Sequence, residues 1–99
     1  MKIKTIDIQA KEWSDKINGN SYFASKIIVN KSLKNEKRYV LPFQYGYENV
    51  YEQKAIELLK KNGLIKETSV FKLKNEGVII KSQKQRNCLK KEVVNFGKL

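Results

Sequence analysis

Residues 50–62 carry the pattern that most restricts the fold. Tyr51, Ala55, Leu58 and Leu59 recur at i, i+4, i+7 and i+8 and form one apolar stripe. Gln53, Lys54, Glu57, Lys60 and Lys61 occupy the opposite face. Asn49 reads as the N-cap, and Glu52 at the third helical position completes a capping box. Lys60 and Lys61 suit the negative end of the helix dipole, and Asn62-Gly63 supplies a stop. A helix with one apolar side needs a surface to lie on, and the flanking segments have the alternation of a sheet.

The first predicted strand covers residues 2–13, with Ile6, Ile8 and Ala10 on one face. Ile3 has the other parity, which predicts a bulge or fray near Lys4–Thr5. Asp15 to Asn20 contains Asn18-Gly19, a strong hairpin signal between two β-prone runs. The second strand spans 21–30, with Phe23, Ser25, Ile27 and Val29 on one parity. A charged loop at 31–37 leads to a third strand at 38–45. Tyr39, Leu41, Phe43 and Tyr45 are expected on one of its faces. Pro42 cannot donate to a ladder, so that strand lies at an edge or is bulged there.

After the helix, residues 68–73 and 78–83 read as a second hairpin turning at Asn75-Glu76-Gly77. Leu89, Val93, Val94 and Phe96 predict a further strand or short helix near 88–96. The expected order is β-β-β-α-β-β. The expected class is α+β: an antiparallel sheet of about four to five strands with one helix packed on one face. The 99 residues suit a single domain, in which 84–99 forms a basic C-terminal segment.

Composition then narrows the chemistry. The chain has no histidine and one cysteine, Cys88, which excludes a histidine triad, a His-ligated metal, an internal disulfide and a four-cysteine zinc site. Arg86 and Lys90 neighbour Cys88, but no histidine is present to serve as its base. No Gly-Lys-Ser/Thr phosphate cradle and no Gly-x-Gly-x-x-Gly fingerprint occurs. The expectation is no enzyme, no cofactor and no metal. No apolar run approaches a membrane span, and Met1-Lys2-Ile3-Lys4 does not begin a secretory signal, so a cytoplasmic location with a reduced Cys88 is expected.

The net charge is +11, and 19 of the 21 basic residues are lysine. Lysine meets phosphate as a point charge, whereas arginine offers a planar fork for base edges and bidentate contacts. A lysine bias also arises from base composition alone, so the charge has both a functional and a compositional reading. Residues 51–99 carry +7 and residues 1–50 carry +4. Lys81, Lys84, Arg86, Lys90 and Lys91 form the densest cluster and the first candidate for binding nucleic acid or another anion. Lys34, Lys37 and Arg38 form a second candidate. Tyr45 and Tyr47, in the turn before the helix, are candidate stacking residues, as is Trp13. The bland reading puts the two tyrosines and Trp13 in the core, and Glu48 would oppose a phosphate at that turn.

Two segments carry a resemblance. Lys11-Glu12-Trp13-Ser14-Asp15-Lys16 followed by Gly19-Asn20-Ser21-Tyr22 resembles the start of a group of small bacteriophage proteins. Phe43-Gln44-Tyr45-Gly46-Tyr47, then Tyr51, Ala55, Leu58 and Leu59, is similar to their aromatic-Gly-Tyr loop and following helix. Ser14 stands where that group has Phe, and Glu48 where it has a second Gly; residues 64–99 lie outside the match. The resemblance implies a phage origin, and hence the cytoplasm of an infected bacterium, but no activity. Two functions are expected of such a chain. One is a basic nucleic-acid-binding protein with weak sequence preference. The other is an anti-defence inhibitor that binds a host protein or an anionic nucleotide signal. A third class, a structural accessory associating through an exposed strand, is opposed by Pro42 at the edge. Oligomeric state is not legible from the chain.

Overall fold

The structure, a computed structural model, describes residues 3–66 and 69–98. Lys2 and Thr68, which head two of the predicted strands, and Leu99 at the end of the basic segment lie outside the described residues. Seven elements follow in order: β1 (Thr5–Asp15), β2 (Asn20–Val29), β3 (Lys37–Tyr45), α1 (Val50–Lys61), α2 (Val70–Asn75), β4 (Ile79–Gln85) and α3 (Lys90–Phe96). The four strands make one sheet in the order β3-β2-β1-β4. The pairs β1/β2 and β2/β3 are antiparallel, while β1/β4 is parallel. The class is α+β as expected, but the sheet is mixed rather than antiparallel and, among the described residues, carries three helices rather than one.

The second hairpin is the main correction. Residues 70–75 form α2, whose N-cap Ser69 accepts a hydrogen bond from the Lys72 N–H at 3.4 Å. Asn75-Glu76-Gly77 ends this helix instead of turning a hairpin. Gly77 has φ +92°, and its N–H and that of Val78 donate to Lys74 and Leu73 carbonyls at 3.0 and 3.1 Å. That is a Schellman closure, in which a left-handed glycine satisfies carbonyls left over at a helix end. A glycine at positive φ serves a hairpin or a helix end equally well, so the tripeptide alone cannot decide. With a helix in place of an outer strand, the chain crosses from β3 at one edge to β4 at the other, and β4 enters parallel to β1.

α1 forms where the stripe predicts, and Gly63 (φ +75°) closes it in the same way. Its buried residues are Tyr51, Ala55, Ile56 and Leu59; Ile56 joins the stripe, and Leu58 is only half-buried. The capping box does not form, since Asn49 makes no side-chain cap. The Glu52 carboxylate accepts instead from the Ser82 hydroxyl on β4 at 2.8 Å, tying helix to edge strand.

The first hairpin turns as expected, with Gly19 at φ +70° and its N–H donating to the Asp15 carbonyl at 2.8 Å. No bulge appears near Lys4–Thr5; Ile3 precedes the strand and packs on the core. Where β2 ends, the fully buried Asn30 sits at φ +54°, and its Oδ1 accepts from the N–H groups of Lys4 and Thr5 at 2.7 and 3.2 Å.

Pro42 lies both at an edge and at a bulge. Ser25 pairs with Leu41 but Phe23 pairs with Gln44, so β3 has one residue too many between them. The extra residue reverses side-chain parity. Tyr39 and Leu41 face α1, whereas Phe43 joins Ala24, Cys88 and Val93 on the opposite face. The four residues expected on one face of this strand are thereby split.

The two faces are covered differently. On the first, Ile6, Ile8, Ala10, Phe23, Ile27 and Val29 pack with α1 and Leu73 of α2 in the main core. On the second, α3 anchors through Val93 and Phe96 against Ala24, Trp13 and Phe43. Residues 90–96 resolve as the short helix that the sequence left as an alternative to a strand. Gly97 permits this docking, since a Cβ there would lie 2.9 Å from Ala24 Cβ and from the Phe43 nitrogen.

Candidate nucleic-acid interface

The α3 face of the sheet is built in register rows. Nearest the β1–β2 hairpin, Trp13, Tyr22 and Tyr45 stand side by side on β1, β2 and β3. Beyond α3, one row runs Arg38, Ile28, Asp7, Lys81 across all four strands, and the next runs Val40, Lys26, Gln9, Gln83. The face therefore has an aromatic end and a basic end, with α3 between them.

At the aromatic end, Trp13 stacks on Tyr22 at 5.6 Å between centroids, and Tyr22 on Phe43 at 5.1 Å. Tyr45 meets Tyr22 edge-on at 5.8 Å, and Tyr47 meets Tyr45 at 5.1 Å. The Tyr47 hydroxyl donates to the Gly19 carbonyl at 3.2 Å, linking the β3–α1 turn to the hairpin. Gly46 lets this turn close down, because a Cβ there would lie 2.6 Å from Phe23 Cε1. Tyr45 and Tyr47 are 53 % and 41 % exposed, which corrects the reading that places them in the core. A hydrogen bond with Tyr47 holds the Tyr45 hydroxyl above its ordinary pKa. Trp13 is half-buried against the α3 cluster, and the Lys90 ammonium lies 5.3 Å from its ring.

The candidate lysines separate. Lys84 points to the α1 face, where its ammonium pairs with Glu12 Oε2 at 2.7 Å, donates to the Glu48 carbonyl at 2.8 Å and lies over Tyr51. Its side chain is 7 % exposed, so it is a structural cation and not a docking group. Lys81 projects from β4 at the basic end, opposite Asp7. It shares a cavity of about 270 Å³ with Lys31, Ser32 and Asp7. Arg38 joins the same row, with its guanidinium 3.1 Å from Glu36. The Ser32 N–H and then Arg38 hold the Glu36 carboxyl below its ordinary pKa. Lys34 and Lys37 are exposed beside this end, whereas Arg86 and Lys91 are exposed on either side of the α3 start.

Tyr22, Phe43 and Lys26 complete the surface, and reasoning from the sequence did not select them. The parity shared by Trp13 on β1 and Tyr22 on β2, opposite to the core residues, was the available signal. Lys26 and Lys11 both lie over the Phe96 ring, at 4.7 and 5.1 Å, and Lys11 pairs with Glu92 at 2.9 Å. Among the described residues, no three His, Cys, Asp or Glu side chains gather as a metal site, and no helix is long and apolar enough to cross a membrane. Comparisons with family models, curated proteins and solved structures find no match, which leaves the surface itself as the ground for a functional reading.

Proposed function

We propose that the protein binds single-stranded nucleic acid with weak sequence preference, as a small phage-encoded protein acting in the infected cell. The observation that carries this reading is the pair of half-exposed tyrosines, Tyr45 and Tyr47, held on a fixed aromatic stack at one end of a face whose other end is basic. Unstacked bases have open π-faces that such rings accept, whereas duplex bases do not. Arg38 and Arg86 are the only arginines, so few forks exist to read base edges, and weak sequence preference follows. Along the edge strand, Arg38 and Tyr45 are seven residues apart, roughly 23 Å of extended chain. A stacked strand advancing about 3.4 Å per nucleotide would cover that path with roughly seven nucleotides.

The two segments that resemble phage proteins meet here, through the Trp13–Tyr22–Phe43 stack and the Tyr47 hydrogen bond to Gly19. The test follows Trp13 fluorescence while single-stranded DNA, single-stranded RNA and duplex of matched length are titrated at several salt concentrations. Single strands are expected to bind more tightly than duplex, with affinity falling as salt rises. Tyr45→Ala with Tyr47→Ala should weaken binding about 10- to 100-fold, the equivalent of one or two lost base stacks. Absence of binding at low salt, or equal affinity for the double variant, overturns the reading.

A further inference from the structure

One groove on this cationic molecule has the opposite chemistry. A cavity of about 430 Å³ lies between the β3–α1 turn, the first turn of α1 and the start of α2. Tyr47, Val50 and Val70 give it apolar walls, and Glu48 and Glu52 supply carboxylates. Among the described residues lining it there is no lysine or arginine, although 21 of the chain's 99 residues are basic. Phe71, adjoining Val70, is 73 % exposed and extends the apolar rim. The two carboxylates would repel a phosphate backbone, so beyond Tyr47, which the two surfaces share, the groove does not extend the nucleic-acid path. It suits a large apolar side chain flanked by positive charge.

The same chain presents such a segment. Leu89, just before α3, is 75 % exposed, and Lys90 and Lys91 follow it, with Arg86 shortly before. Leu89 is the N-cap of α3, and neither its side chain nor a local contact gives it a packing role in the α3 cluster. Neither Leu89 nor Lys91 lines the groove of its own molecule; Arg86 reaches only a second cavity that shares Glu48 and Asn49 with it, so Leu89 needs another copy to fill the groove. We infer that the groove receives the Leu89-Lys90-Lys91 corner of a second copy, with Leu89 against Tyr47, Val50 and Val70 and Lys91 facing Glu48. Because the two patches differ, the contact is head-to-tail and adds copies in one direction instead of closing as a two-fold dimer. The +11 charge opposes it over long range, so it is a weak contact that needs screening salt or high concentration.

The inference does not rest on the nucleic-acid reading, and its test contains no nucleic acid. Nuclease-treated protein at 0.1–1 mM in about 0.15 M salt, where the Debye length is about 8 Å, is examined by sedimentation velocity and light scattering. The mean mass is expected to rise continuously with concentration, without a plateau at the dimer. Leu89→Asn and Glu48→Lys should each shift the association midpoint upward at least tenfold. Glu48→Lys combined with Lys91→Glu should restore it, whereas Glu48→Lys combined with Lys60→Glu, which returns the same net charge of +11 away from the contact, should not. Glu48 and Lys91 are exposed, so unchanged melting temperatures establish that the variants remain folded. A mass that stays monomeric to 1 mM, a plateau at the dimer, or failure of the charge swap to restore association overturns the inference.

Discussion

Lys84 sits in the densest basic stretch of the chain, yet its ammonium is already occupied. Glu12 and Lys84 face each other at 2.7 Å with side chains 10 % and 7 % exposed. Two charges removed from water depend on each other, and deleting one strands its partner. Lys84→Met should therefore destabilise the fold by about 3 kcal/mol or more, measured by denaturant unfolding, with Glu12→Gln in the same chain recovering much of the loss. Strand alternation puts Lys81, three residues away, on the opposite side of the sheet from Lys84, but that Lys84 meets Glu12 follows only from the pairing of β4 with β1. Asn30 was equally hidden: the sequence reads it as the last residue of the second strand, and only the fold shows it fully buried beyond that strand and holding the Lys4 and Thr5 amides. Gly46, by contrast, was legible as part of a turn, though the approach of the Phe23 ring that forbids a side chain there was not.

At the scale of elements, helical periodicity was the most readable signal, whereas a glycine after a short segment suited a hairpin and a helix end alike. α1 was readable because four apolar residues on one stripe are hard to reconcile with another structure. α2 was not, since six residues hold too little periodicity to outweigh an Asn-Glu-Gly sequence that also suits a hairpin. α3, seven residues long, is held on the sheet through Val93, the close approach at Gly97 and an ion pair between Glu92 and Lys11. The hydrogen bond from Lys11 holds the Glu92 carboxyl below its ordinary value of 4.5. A carboxyl with a lowered folded-state pKa contributes stability that is present above its unfolded pKa and lost as pH falls through the folded value. Acid titration should therefore loosen α3 below about pH 4.5, reported by Trp13 fluorescence because Lys90 of α3 lies over that ring. Glu92→Gln should remove this contribution and flatten the acid limb.

For the whole molecule, the sheet sorts the charges. Lys26, Arg38 and Lys81 stand on the α3 face at its basic end, while Lys60 and Lys61 end α1 on the other side. If a single strand runs along the first surface, Lys26→Gln with Lys81→Gln should reduce the slope of log affinity against log salt by about 1.4, from two lost phosphate contacts. Lys60→Gln with Lys61→Gln, an equal change in net charge, should leave the slope within error. Equal effects of the two pairs would mean that only the total charge matters.

The sequence by itself determined the α+β class, the first hairpin, the third strand, α1 and the exclusion of histidine chemistry. Each is a local matter of periodicity, turn residues or composition. Tertiary structure decided what depends on pairing between distant segments: the parallel entry of β4, the helix on each face and the bulge that turned Phe43 and Tyr45 away from the core. It also decided which lysines meet solvent. A one-residue slip at Pro42 exchanges the two faces of a strand, and the slip exists only in relation to the register of β2.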